Sequence, residues 1–134
     1  MNVPINYLAV VVAALVNYVI GSVWYAALFR RAWLSLTGVK EMKVTVLSVV
    51  LALIGAFLTS YVLDHAIIFA GAYLKTTGIG AGLETAVFNW LAFIAPVTLG
   101  VVIYEKKPWR LWLLNNGYWL VSLIVMGILL SLWT

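Results

Sequence analysis

Val44–Leu63 reads VTVLSVVLALIGAFLTSYVL, a run of 20 residues without one charged side chain. A helix rises about 1.5 Å per residue, so such a run spans the ~30 Å hydrocarbon core of a bilayer. Three more uncharged apolar runs share the chain: Tyr7 to Phe29, Thr85 to Tyr104 and Leu111 to Thr134. Backbone groups find no water inside lipid, so each run is expected to be an α-helix. The expected fold is all-α: one integral-membrane four-helix bundle over 1–134, with spans at about 5–29, 44–65, 82–104 and 109–133.

The remaining composition agrees. The 134 residues are 66% hydrophobic and 9% charged, whereas soluble domains carry about 25% charged residues. No cysteine is present, which excludes disulfides, thiolate catalysis and thiolate metal sites. No Lys or Arg precedes the first run, so it is expected to remain as a span rather than act as a signal peptide. The net charge is +4, but the cations lie in or near loops and point to topology, not to nucleic acid.

Arg30, Arg31, Lys40 and Lys43 lie between the first two runs, and Lys106, Lys107 and Arg110 between the last two. Lys75 alone stands on the other side. The positive-inside rule therefore places both basic loops in the cytoplasm and both termini on the outer face of a prokaryotic inner membrane. Aromatic residues flank the same boundaries: Trp24, Tyr25, Phe29, Trp33, Tyr104, Trp109 and Trp112 inside, and Tyr7, Tyr73 and Trp133 outside. Arg30 to Leu34 reads as a segment lying along the inner leaflet. Gly78, Gly80 and Gly82 read as an outer loop.

Small and polar residues mark the inward faces. Ser48, Ala52, Ala56 and Ser60 fall at successive i, i+4 positions and are expected to form a close-packing face. Four residues further along the same stripe stands Asp64. Ala13, Asn17 and Gly21 align in the first span, Thr85, Asn89, Ala92, Pro96 and Gly100 in the third, and Asn115, Tyr118 and Ser122 in the fourth. These faces are expected to meet in the bundle interior. Pro96 removes a helix hydrogen bond and is expected to kink the third span.

The candidate polar site comprises Asp64, Glu84, Asn89, His65 and Asn17. An ionised group at the bilayer centre costs at least ~2.5–3.5 kcal/mol, so depth decides its meaning. Span length puts Asp64 at the wet outer boundary; a long, tilted second span would instead enclose it. Glu84 reads as a first-turn carboxylate favoured by the helix dipole. His65 shares a face with Tyr61 and Phe69, an interfacial aromatic patch. One His and scattered carboxylates make no metal site, and no cofactor is expected. Arg110, Asn115 and Asn116 form a candidate cluster at the cytoplasmic end. No nucleophile–base pair or phosphate loop appears, so an enzyme is not expected.

Gly21-Ser22-Val23-Trp24-Tyr25 with Phe29 and Trp33 resembles the end of the first span in a family of small bacterial and archaeal membrane proteins. Tyr104-Glu105, then Leu114-Asn115-Asn116-Gly117-Tyr118-Trp119 with Gly127 and Trp133, resembles its last span. That family is domain of unknown function 1761. The resemblance implies a four-helix membrane protein and gives Trp24, Tyr25, Asn115 and Tyr118 an architectural part; it implies no activity. The leading functional expectation is a non-enzymatic membrane protein acting by helix packing, as a homo-oligomer or with a membrane-protein partner among lipid. The alternative is a small oligomeric transporter or channel using Asp64 or Glu84.

Overall fold

A computed structural model describes residues 3–133; Met1, Asn2 and Thr134, which the single domain and the fourth apolar run include, lie outside them. Among the described residues the chain is helical and has no strand. Four helices are long and apolar enough to cross a membrane: α1 (Tyr7–Leu28), α3 (Val46–Leu74), α4 (Gly78–Ile103) and α5 (Trp109–Leu132). The short α2 (Arg30–Thr37) follows α1 directly.

Local chemistry sets the helix ends. Asn6 caps α1, its side-chain oxygen accepting from the Ala9 N–H. Thr45 and Ser48 form a reciprocal capping box that opens α3, each side-chain oxygen accepting the other's backbone N–H. Gly38 ends α2 in the left-handed region with φ 74°, a conformation that costs glycine nothing. Only Lys75, Thr76 and Thr77 join α3 to α4.

The α5 helix is the centre of the bundle and packs on α4 and α1; α3 packs chiefly on α1. The core comprises Val10 and Ala13 of α1, Leu63 and Ile67 of α3, Ala86 of α4, and Leu123, Met126 and Leu130 of α5. The outward faces carry large apolar side chains, among them Leu47, Leu51, Leu58, Val62, Phe88 and Phe93. That inverts the pattern of a water-soluble surface and fits a membrane protein. The Asn6 amide donates to the Trp133 carbonyl at 3.0 Å, so the start of α1 and the end of α5 share one end of the bundle.

Two expected boundaries shift. The second span continues to Leu74, well past 65, because Ala66–Leu74 prolongs the helix as a regular apolar segment. The third begins at Gly78, so Gly80 and Gly82 are helical residues and not loop. Gly82 has a packing role: a Cβ there would collide with the backbone carbonyl of Gly127, and a Cβ on Gly127 would stand 2.6 Å from the Gly82 oxygen. The backbones of α4 and α5 touch at this pair, as small-residue crossings in lipid allow.

Two helices are interrupted. In α1, Val23–Leu28 is wound as a π-helix, with the Phe29 N–H donating to the Trp24 carbonyl. In α4, Trp90–Ile94 is π and Val97–Leu99 is 3-10, on either side of Pro96. Proline has no N–H and its ring crowds the preceding turn, so the regular ladder breaks there. Beyond Asn89 the expected polar face of the third span is lost: Ala92 and Pro96 are exposed.

Candidate functional site

A buried polar cluster joins α1 to α5. The Asn17 side-chain oxygen accepts from the Tyr118 hydroxyl at 2.6 Å and from the Ser122 hydroxyl at 2.5 Å. All three residues are buried. Asn17 and Ser122 come from two of the faces expected to turn inward, and they meet. Two amides or hydroxyls from facing helices that satisfy each other are the usual fastener inside a membrane bundle.

The next turn of α1 continues the contact. The Trp24 indole N–H donates to the Leu114 carbonyl at 3.1 Å, and the Tyr25 hydroxyl donates to Asn115 Oδ1 at 2.8 Å. Tyr25 also sets its ring edge on Tyr118, centroids 5.3 Å apart. Glycines make room: a Cβ at Gly21 would stand 3.1 Å from the Tyr118 hydroxyl, and one at Gly117 3.2 Å from the Trp24 ring. Trp24 and Tyr25 therefore fasten helices, where boundary aromatics alone would face headgroups.

A third set closes the break in α4. Asn116 Nδ2 donates to Thr98 Oγ1 and to the Trp112 carbonyl, both at 3.0 Å. Thr98 donates to the Ile94 carbonyl at 2.7 Å, and the Trp112 indole donates to the Ala95 carbonyl at 3.3 Å. The Thr98 hydroxyl and the Trp112 indole thus meet the Ile94 and Ala95 carbonyls at the interruption, as buried backbone groups require.

The sequence-derived candidates do not form one site. Asn17 belongs to the α1–α5 fastener. Asn89 donates to the Thr85 carbonyl one turn back. Glu84 is exposed and lies past the first turn of α4, because that helix starts at Gly78; the helix-dipole reading is corrected. Glu84 and Asn89 line one small cavity of 230 Å³. His65 donates from Nδ1 to the Tyr61 carbonyl at 2.8 Å and its ring stands between Tyr61 and Phe69, an aromatic patch that Tyr7 extends. The cytoplasmic-end cluster separates as well: Asn115 pairs with Tyr25, Asn116 with Thr98, and Arg110 is exposed.

The small-residue face of α3 divides into a buried and an exposed half within the single chain. Ala56 and Ser60 are buried, and Ser60 donates to the Val10 carbonyl at 2.9 Å. Ser48 and Ala52 are exposed, Ser48 being spent on the capping box. The stripe enters the protein only where α3 meets α1.

Asp64 continues the buried half. It is 1% exposed, between the core residues Leu63 and Ile67, and its Oδ1 has no hydrogen-bond partner among the described residues. The expectation of a wet boundary position is corrected: α3 extends ten residues past Asp64, and its packing face encloses the carboxyl. An unpartnered buried carboxyl is expensive in any medium.

A bundle of four apolar helices, fastened by amides, hydroxyls and indoles and holding one orphaned acid, fits a membrane protein with a polar group in its interior. Residues 8–131 match the family described as a protein of unknown function (DUF1761), and the chain belongs to that family. No curated protein and no solved structure matches the chain.

Proposed function

We propose that this is an integral membrane protein whose function is centred on Asp64, as the protonatable group of a small proton- or cation-linked transporter or channel. One observation carries the reading: a fully buried carboxyl with an unpartnered oxygen, in the core of a four-span bundle. An intramembrane ionisable residue is a functional candidate by default, because an apolar residue there avoids its desolvation. Such a group works against stability, as functional groups commonly do.

Asp64 itself lines neither of two grooves, but its neighbours on α3 line both. Its neighbour Leu63 lines a 410 Å³ groove with Asn89 and Leu123. Ile67, one turn on, lines a 660 Å³ groove with Asn6 and Thr77 near the end where α1 begins. In this reading a movement of α3 would connect the carboxyl to these grooves. The core itself is filled by Val10, Met126 and Leu130, so passage runs by helix movement or between copies of the chain. In this reading the protein lies in a prokaryotic inner membrane, its basic connections cytoplasmic and both termini outside.

The test is reconstitution of the full chain in liposomes carrying a pH-sensitive or cation-sensitive dye, with an imposed gradient. Wild type should dissipate the gradient, and Asp64→Asn should abolish the flux while helicity and particle size are kept. Flux no greater than from empty liposomes, or flux unchanged in Asp64→Asn, would remove Asp64 from the function. The chain would then be a non-catalytic packing component with a homo-oligomeric or membrane-protein partner.

A further inference from the structure

A further cavity, of 430 Å³, opens between α1, the first half of α3 and α5. Its size falls within the roughly 300–1,000 Å³ typical of small-molecule sites. Small residues create the space: Ala52, Gly55 and Ala56 line it, and a Cβ at Gly55 meets nothing within 4 Å. The opposite wall carries Tyr25 and Tyr118. Their hydroxyls are committed to Asn115 and Asn17, and the Ser22 and Thr59 hydroxyls, also in the lining, donate to the Tyr18 and Gly55 carbonyls; Asn17 and Tyr18 complete its polar part. The rest of the lining is apolar, so the groove suits a largely apolar occupant.

One end of the groove is formed by residues adjacent in the chain to cations. Met42 and Val44 line the groove and flank Lys43 in the chain, while Ala26, also in the lining, stands one turn before Arg30. Lys43, Lys40, Arg30 and Arg31 are all exposed, with Glu41 the one acid in that connection. A mostly apolar groove with exposed cations next to its lining residues in the chain complements an amphiphile with a hydrocarbon tail and an anionic head. We propose that this groove binds one acyl chain of an anionic phospholipid, with its phosphate held by Lys43 and the neighbouring cations. The inference stands independently of Asp64.

The experiment places the full chain in nanodiscs of phosphatidylcholine containing a fixed fraction of brominated phosphatidylglycerol or brominated phosphatidylcholine. Trp119 lines the groove, and bromine on a bound chain quenches its fluorescence; Trp119→Phe identifies its share of the signal. Brominated phosphatidylglycerol should compete for the site about fivefold better for each cation that engages the head. Gly55→Leu should remove the Trp119 quenching by either lipid. Lys40→Glu with Lys43→Glu, both on the surface, should keep the quenching but erase the preference for phosphatidylglycerol. Equal quenching by the two lipids in wild type would reduce the groove to ordinary annular lipid and overturn the proposal. A change in particle mass in Gly55→Leu with lipid quenching intact would overturn it too, and would seat a second copy there.

Discussion

Gly82→Ala adds one methyl group at the point where α4 and α5 touch backbone to backbone. The added Cβ would run into the Gly127 carbonyl and stand 2.6 Å from the Ser131 hydroxyl oxygen. The serine can rotate away, but a carbonyl inside a helix cannot. The helices must therefore separate, opening contacts around Ala86, Met126 and Leu130, which are fully buried beside the crossing. Overpacking of this kind costs typically 1–3 kcal/mol, and a backbone obstacle places the change at about 2–3 kcal/mol. Gly80→Ala is the control: it lies on the same helix, and its Cβ would meet nothing within 4 Å. Alanine there should be neutral or gain up to about 1 kcal/mol through helix propensity. The assay is reversible unfolding of each variant in mixed micelles with SDS, followed by tryptophan fluorescence and far-ultraviolet circular dichroism. Gly127→Ala should destabilise similarly, and the double variant should lose less than the sum, because one separation relieves both clashes. Equal stability of Gly82→Ala and Gly80→Ala would refute the close crossing.

Other outcomes follow from the same packing. Ala56→Leu, at a buried site, should cost about 1–3 kcal/mol in that assay, whereas Ala52→Leu, on the exposed half of the stripe, should leave stability unchanged. Asn17→Leu should destabilise by about 1–3 kcal/mol, since it strands the buried Tyr118 and Ser122 hydroxyls; adding Tyr118→Phe and Ser122→Ala should recover part of that loss. Asp64→Leu should raise stability by about 1–3 kcal/mol by removing an unpartnered buried group, and a lower melting temperature would show that the carboxyl has a partner in the membrane. Single cysteines at positions 40, 75 and 107 should be labelled by an impermeant reagent from outside only at 75; labelling at 40 and 107 with 75 protected would invert the orientation.

The helices were legible because charged residues separate the runs: Arg30 to Lys43 between the first two, Asp64, Lys75 and Glu84 between the second and third, and Glu105 to Arg110 between the last two, each run long and apolar enough to cross a bilayer. The inward faces of α1 and α5 were legible too, because Asn17, Tyr118 and Ser122 are conspicuous polar residues in apolar helices. The α3 stripe was legible as a stripe, yet periodicity could not say how far it is covered. Helices crossing at an angle part company, and Ser48 and Ala52 lie beyond the parting. Asp64 was read as wet because about 30 Å of helix, counted from Val44, ends at it. The apolar segment after it, Ala66–Leu74, carries the helix onward, and its burial comes from α3 packing and not from depth. Gly82 was hidden for a similar reason, since three glycines in five residues read as loop until a partner glycine faces one of them. Pro96 signalled the break in α4. The π-wound end of α1 has no such marker, because a change from i+4 to i+5 bonding leaves no fixed residue type behind.

That winding has a consequence for how the chain tolerates changes in length. Deleting one residue from a regular α-helix turns everything beyond it by about 100°, which would carry a membrane helix's inward residues out to lipid. A π-wound turn already accommodates one residue more than the α-helix needs. Removing Ala26 or Ala27 from Val23–Leu28 lets the segment close as ordinary α-helix, with Gly21 before it and Phe29 after it kept close to their places. The same holds for one residue of Trp90–Ile94. The bundle therefore has two internal points at which single-residue insertions and deletions interconvert without re-registering the spans, whereas the uninterrupted α3 and α5 have no such slack.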